Sequence, residues 1–188
     1  KVIDACMESL KRKETSYTSN WGLLPLRQEI AKLFHNRYHV DYDPVDEIMV
    51  TVGVSEAIGI VMTTLLNPGD EVLIPDPAYL AYPACVSIAR GKPVLVPTRA
   101  EDEFKLTVEE LEKKVTPRTK AILIGYPNNP TGTVMDRGSL EKIADFAQKH
   151  DLVVISDEIY CDLTYEGTHT CFASLPGMKE RTLTMNGF

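Results

Sequence analysis

Hydrophobic positions in the first forty residues recur at helical spacing. Ile3, Met7 and Leu10 would share one face if residues 2–13 were helical. A second stretch with the same spacing begins at Pro25 and continues to residue 38. The pattern therefore predicts two helices, joined by a polar and aromatic loop.

Further along the chain, short continuous apolar runs alternate with helical patterns. Helices are predicted over 55–66, 79–90, 107–115 and 136–150, and Thr107 would form a capping box with Glu110. Strands are predicted at 48–52, 71–75, 93–97, 121–125, 152–156 and 182–185. Such alternation is typical of an α/β fold, so we expect a mostly parallel sheet with helices on both faces.

Composition narrows the class of protein. The chain is 44% hydrophobic and 25% charged, with a net charge of -7, which argues against nucleic acid as a partner. No apolar run has the length of a membrane span. The four cysteines show neither C-x-x-C pairing nor zinc spacing, so we expect no metal site and free thiols in a reducing, cytoplasmic environment.

Ligands of parallel sheets bind at the carboxyl ends of the strands, so the residues that follow each predicted strand are informative. After the first predicted strand, Gly53, Val54 and Ser55 form a glycine turn that opens a helix. Unpaired N–H groups and the positive end of the helix dipole suit a phosphate there. An ordinary strand–turn–helix with Ser55 as N-cap is the alternative.

Two further strand ends carry candidate binding residues. Tyr79 follows the 71–75 strand, where its ring could stack on a flat cofactor or belong to the core. Residues 126–132, Tyr-Pro-Asn-Asn-Pro-Thr-Gly, follow the 121–125 strand. Two prolines and a glycine constrain this turn, which would direct amide side chains away from the strand end.

Asp157 directly follows the strand at 152–156. A carboxylate in this position is costly unless it is paired, and a cationic pyridinium nitrogen would pair it. Tyr160 lies three residues on and could reach the same ligand. Asp157 as the N-cap of a short helical turn is the alternative.

In this order and spacing, the motifs resemble fold-type I pyridoxal-phosphate enzymes, and within them the class I/II aminotransferases. The similarity extends from Tyr-Thr-Ser-Asn-Trp-Gly at 17–22, through the Asn-Asn-Pro-Thr-Gly turn, to Thr-Leu-Thr-Met-Asn-Gly-Phe at 182–188. The branch of aspartate and aromatic aminotransferases is the most similar one. The resemblance implies pyridoxal 5'-phosphate as cofactor, an amino acid and a 2-oxo acid as substrates, and a homodimer.

The resemblance also implies a role for individual residues. Asp157 would pair the pyridine nitrogen and Tyr79 would stack on the ring, while Asn129 and Tyr160 would bind the phenolic oxygen. The cofactor phosphate would be held by Gly53, Val54 through its backbone, Ser55 and, across the dimer, Tyr17.

The family places its Schiff-base lysine directly after an Asn-Gly-Phe-Ser type segment, so we expect this lysine to lie beyond Phe188. Neither Lys120 nor Lys179 is expected to replace it. The resemblance then implies that residues 1–188 form part of the large cofactor-binding domain, without the small domain and the C-terminal half, and that they are inactive alone. Carbon–sulfur lyases and the aminotransferase-like sensor domains of transcription regulators share the framework and remain alternatives.

Overall fold

A computed structural model describes residues 1–187 and contains a single parallel sheet. The strands are β1 (Glu71–Asp76), β2 (Lys92–Pro97), β3 (Thr119–Gly125), β4 (Val153–Asp157) and β5 (Thr182–Met185). The helices are α1 (Val2–Lys11), α2 (Leu24–Tyr38), α3 (Gly53–Leu65), α4 (Ala81–Ile88), α5 (Val108–Glu112) and α6 (Arg137–Lys149).

The strands are ordered β2-β1-β3-β4-β5, and every neighbouring pair is parallel. Their carboxyl ends therefore meet at one edge, which we call the carboxyl edge: Asp76, Gly125, Asp157 and Met185 end four of the five strands there. The register places Gly125 opposite Asp157. The predicted α/β fold with a parallel sheet is confirmed.

Side-chain alternation along the strands produces two cores, one on each face of the sheet. Leu73, Ile122 and Val154 pack with residues of α5 and α6 on one face. Their strand neighbours Leu123 and Ile155 pack with α3 and α4 on the other. The strands are apolar on both faces for this reason, and helices cover both faces as expected.

The predicted strand at 48–52 is wrong. These residues form no ladder with any strand of the described chain, and Val50 instead donates its N–H to Trp21 O at 3.0 Å. Gly22, at φ +87°, packs so closely that an added Cβ would lie 2.6 Å from Val50 Cβ. An apolar, β-branched run favours a strand only when a neighbouring strand offers hydrogen-bond partners, and none runs alongside this segment within residues 1–187.

The two N-terminal helices are confirmed but differ in their packing. α2 buries Phe34 and Tyr38 in a third cluster, which includes Cys171. In α1, by contrast, no residue is buried, and the predicted apolar face formed by Ile3, Met7 and Leu10 is exposed. Helical spacing alone therefore identified the element but not a contact within the described part of the chain.

The two predicted N-caps are confirmed. Thr107 Oγ1 accepts the Glu110 N–H at 3.3 Å, and Asp136 Oδ1 accepts the Ser139 N–H at 2.9 Å. Among the helices of residues 1–187, none has the length and hydrophobicity needed to cross a bilayer.

Candidate active site

Asp157 is the most constrained group at the carboxyl edge. Its side chain is only 5% exposed, and its pKa is raised because burial disfavours the charged form. Tyr82 Oη donates to Oδ2 at 2.7 Å, and the Ile159 N–H donates to Oδ1 at 3.1 Å. No Lys, Arg or His of residues 1–187 lies within ion-pair distance of it. A buried carboxylate with two donors and no cation is suited to receiving a cationic ligand group.

Tyr82 is a site residue that the sequence did not reveal. It is buried in α4, and its pKa is raised by burial and by the neighbouring Asp157 carboxylate. The hydroxyl fills the space beside Gly125, where an added Cβ would lie 2.6 Å from Oη. The sequence indicates this residue only through its spacing from Tyr79, because residues three positions apart lie on the same side of a helical turn.

Two more aromatic residues, Tyr79 and Tyr160, are candidate site residues at the strand ends. The Tyr79 ring meets the Tyr82 ring edge-on, with centroids 5.6 Å apart. Tyr160 lies three positions after Asp157, in the segment that follows β4. Tyr79 and Tyr160 are each 38% exposed, which leaves part of each surface accessible to a ligand. Tyr82 therefore contacts both Asp157 and Tyr79, while Tyr160 follows Asp157 closely along the chain.

The turn after β3 is organised by Asn128 rather than by Asn129. Asn128 is buried, and its Oδ1 accepts from Thr131 N at 3.2 Å and from Thr131 Oγ1 at 2.9 Å. Its Nδ2 donates to Gly125 O at 3.3 Å. Asn129 is exposed and makes no side-chain hydrogen bond to another residue in 1–187. The first asparagine thus holds the turn, which leaves the amide of the second one available at the carboxyl edge.

The glycine turn lies at the start of α3. Gly53 has φ +75°, a left-handed conformation that glycine adopts at little cost, and an added Cβ would meet nothing within 4 Å. Ser55 is exposed, while Val54 packs against the apolar cluster that contains Tyr82 and Met185. The N–H groups in the first turn of α3 have no intrahelical partner, and the helix dipole is positive there. The open space at Gly53 leaves room for an anion.

Tyr17 is the predicted site residue that the fold does not bring to this edge. Its side chain is fully exposed and lies in the loop between α1 and α2. The chain offers Tyr17 no hydrogen-bond partner within residues 1–187. Its predicted role across a dimer stays a prediction.

The two lysines considered as substitutes lie away from the carboxyl edge. Lys120 is exposed near the start of β3, at the opposite end of the sheet. Lys179 forms an ion pair with Glu47 at 3.3 Å. The Schiff-base lysine is expected beyond Phe188, and Phe188 itself lies outside the described residues.

Glu158 holds the strand end that carries Asp157. It is almost fully buried, and its Oε1 accepts from Ser156 Oγ at 3.0 Å and from the Phe172 N–H at 2.8 Å. Its Oε2 lies 2.8 Å from His169 Nε2, and its own N–H donates to Met185 O at 2.8 Å. Glu158 thus joins β4, β5 and the 169–172 segment. This role was not apparent from the sequence, because His169, Phe172 and Met185 come from distant positions.

A cavity of about 440 Å³ lies on the face covered by α6, and Ile124, Ser156 and His169 are among the residues that line it. Asp157 instead points towards Tyr82 on the face covered by α3 and α4. The cavity is therefore separate from Asp157 and Tyr82, which lie on the other face of the sheet.

Comparisons with known proteins agree with this geometry. A family model described as "Aminotransferase class I and II" matches residues 1–188. Two curated relatives are each 49% identical over the whole chain, namely an aromatic-amino-acid aminotransferase 2 of Thermococcus litoralis and an aspartate aminotransferase of Pyrococcus abyssi. The chain covers 48% of each, so it spans about half the length of these relatives.

Solved structures lead to the same family. The crystal structure of an aromatic aminotransferase from Pyrococcus horikoshii superposes with a TM-score of 0.98 at 47% identity, over all of this chain and 50% of that one. Both the sequence match and the fold match thus extend over every described strand and helix. The chain belongs to the class I and II aminotransferase family.

Proposed function

We propose that the protein containing this chain is a pyridoxal-phosphate-dependent aminotransferase. It transfers an amino group between an amino acid of the aspartate or aromatic type and a 2-oxo acid. Residues 1–188 supply part of its large, cofactor-binding domain. The observation that carries this proposal is the buried Asp157, which has two hydrogen-bond donors and no cation within 1–187.

The groups at the carboxyl edge fit pyridoxal phosphate. Asp157 would accept a hydrogen bond from the protonated ring nitrogen, because a carboxylate in a dry site favours a positively charged partner. Tyr79 presents a partly exposed ring for stacking. Asn129 and Tyr160 bind the phenolic oxygen, and each has a side chain that is accessible to a ligand.

The phosphate is held at the start of α3. Gly53 provides the left-handed turn and the open space, while Val54 contributes a backbone N–H and Ser55 a hydroxyl. When bound, the cofactor acts as an electron sink for the negative charge that develops at the substrate α-carbon. The Asp157 carboxylate maintains that electron demand by keeping the ring nitrogen protonated.

We also infer a homodimer, in which Tyr17 reaches the phosphate of the neighbouring subunit. Full exposure of Tyr17 and of the apolar face of α1 supports this inference, since exposed apolar surface is common at interfaces. A cytoplasmic location is proposed as well. Its support is that Cys6, Cys85, Cys161 and Cys171 are all free in the described chain.

The test uses the complete protein. Pyridoxal phosphate is added and followed by its absorbance, and an amino donor and a 2-oxo acid are then supplied while the new amino acid is measured. We expect cofactor binding and amino-group transfer, with aspartate or an aromatic amino acid as the better donor. Asp157→Ala should bind the cofactor more weakly and lose transfer, while Glu141→Ala, whose side chain is about half exposed on α6, serves as control.

Two results would contradict the proposal. Failure of the complete protein to bind pyridoxal phosphate would exclude this cofactor. Binding followed by release of sulfide or ammonia, without a new amino acid, would identify a lyase instead.

Sedimentation of the complete protein as a monomer at working concentration would contradict the dimer.

A further inference from the structure

The contact between Tyr82 and Asp157 links a helix to the most important carboxylate of the site. Tyr82 Oη donates to Asp157 Oδ2 at 2.7 Å, and both residues are buried. The second oxygen of Asp157 accepts the Ile159 N–H at 3.1 Å. Each carboxylate oxygen therefore has one protein donor. The Ile159 contact is local in sequence, so within residues 1–187 the Tyr82 hydroxyl is the only side-chain link between the Asp157 carboxylate and another element of the fold.

Gly125 provides the space that this contact needs. It lies opposite Asp157 in the β3–β4 register, and the Tyr82 hydroxyl occupies the position where a side chain would begin. An added Cβ would lie 2.6 Å from Tyr82 Oη but 3.5 Å from Cζ. A methyl group at Gly125 would therefore displace the hydroxyl while leaving the ring at ordinary van der Waals distance. Tyr79 packs edge-on against the same ring and limits its movement.

We propose that Tyr82 is a positioning residue that fixes the Asp157 carboxylate for the ring nitrogen of the cofactor, in the space that Gly125 leaves free. This inference rests on the proposed function and concerns how the carboxylate is held. Because burial raises the pKa of the Tyr82 hydroxyl, the group keeps its proton and remains a donor. Its hydrogen bond also opposes the effect of burial on the pKa of Asp157, which favours the ionised carboxylate.

The experiment compares two ligands of the complete protein. One is pyridoxal phosphate, and the other is its carbon analogue, in which the ring nitrogen is replaced by CH. Binding of each is measured for the wild type, Tyr82→Phe, Gly125→Ala and the double variant. Ser55→Ala is the control for the phosphate end and should weaken both ligands alike.

We expect Tyr82→Phe to bind pyridoxal phosphate about tenfold more weakly, the effect of losing one hydrogen bond to a charged group, and to bind the analogue as the wild type does. Gly125→Ala should reproduce this difference, since its methyl group displaces the hydroxyl. The double variant should be no weaker than the weaker single variant, because the added Cβ is compatible with a phenylalanine ring.

The results separate the possible explanations. Equal weakening of both ligands by Tyr82→Phe would show a purely structural role and overturn the inference. Additive losses in the double variant would overturn the part assigned to Gly125. If Tyr82→Phe does not fold, Gly125→Ala supplies the same comparison with Tyr82 intact. Wild-type protein that binds neither ligand would overturn the proposed function and this inference with it.

Discussion

Replacing Glu158 by alanine should destabilise the fold more than any exposed acidic substitution. The carboxylate accepts hydrogen bonds from Ser156 Oγ and the Phe172 N–H, and it lies 2.8 Å from His169 Nε2. Alanine leaves all three groups without this partner. An orphaned buried donor costs about 1–3 kcal/mol, and loss of one member of a buried charged network about 3–5 kcal/mol. We therefore expect Glu158→Ala to lower the free energy of unfolding by about 3–5 kcal/mol.

Glutamine at position 158 should be tolerated much better. Its carbonyl oxygen can still accept from Ser156 and Phe172, and its amide can donate to His169 if the imidazole adopts the other tautomer. The expected loss is about 1–2 kcal/mol, the difference between a charged and a neutral hydrogen-bond partner. Glu141→Ala is the matched surface control. It removes an exposed pair with Arg137 at 2.8 Å and should cost less than about 1 kcal/mol.

The assay is urea unfolding of the complete protein, followed by circular dichroism. For the Glu158→Ala loss, the midpoint should fall by about 1–3 M urea with an unchanged slope. We expect Glu141→Ala to be the most stable of the three variants, Glu158→Gln to be intermediate and Glu158→Ala to be the least stable. If Glu158→Ala were as stable as Glu141→Ala, the buried network would not hold the strand ends, and this reasoning would be refuted.

Three further predictions concern Asp157, Gly53 and the core. Burial raises the pKa of Asp157 in the folded state above its value in the unfolded state, which is about 3.9. Protonation of Asp157 therefore stabilises the folded state, and this stabilisation is lost as pH rises above about 3.9. Asp157→Asn should therefore melt higher than the cofactor-free wild type at pH 7, with the difference shrinking towards pH 4; a constant difference would contradict this. Gly53→Ala should lose about 1 kcal/mol in unfolding experiments because its φ is +75°, and an unchanged stability would disprove the strain. Met62→Ala, fully buried in α3, should lose about 2–5 kcal/mol, whereas Met7→Ala on exposed α1 should lose little; equal losses would mean that the packing is wrong.

The sequence by itself determined the architecture and most of the candidate site. Continuous apolar runs separated by amphipathic helices required a parallel sheet covered on both faces, because such strands must be buried on each side. Since the carboxyl ends of parallel strands share an edge, the residues after each run were expected together. Asp157 and Tyr79 are linked through Tyr82, and the convergence of the other predicted site residues stays a prediction. Local chemistry also identified the two helix caps, Thr107 and Asp136.

Only the tertiary structure decided which groups touch. The pattern of residues 48–52 predicts a strand. A strand also requires a hydrogen-bonding neighbour, and the pattern of the run carries no information on whether a neighbour is present. Tyr82 is 75 positions from Asp157, and Glu158 is bound by Phe172, 14 positions away. Contacts over such separations follow from strand order and register rather than from local pattern. The space beside Gly125, which admits the Tyr82 hydroxyl and excludes a side chain, exists only once β3, β4 and α4 are packed together.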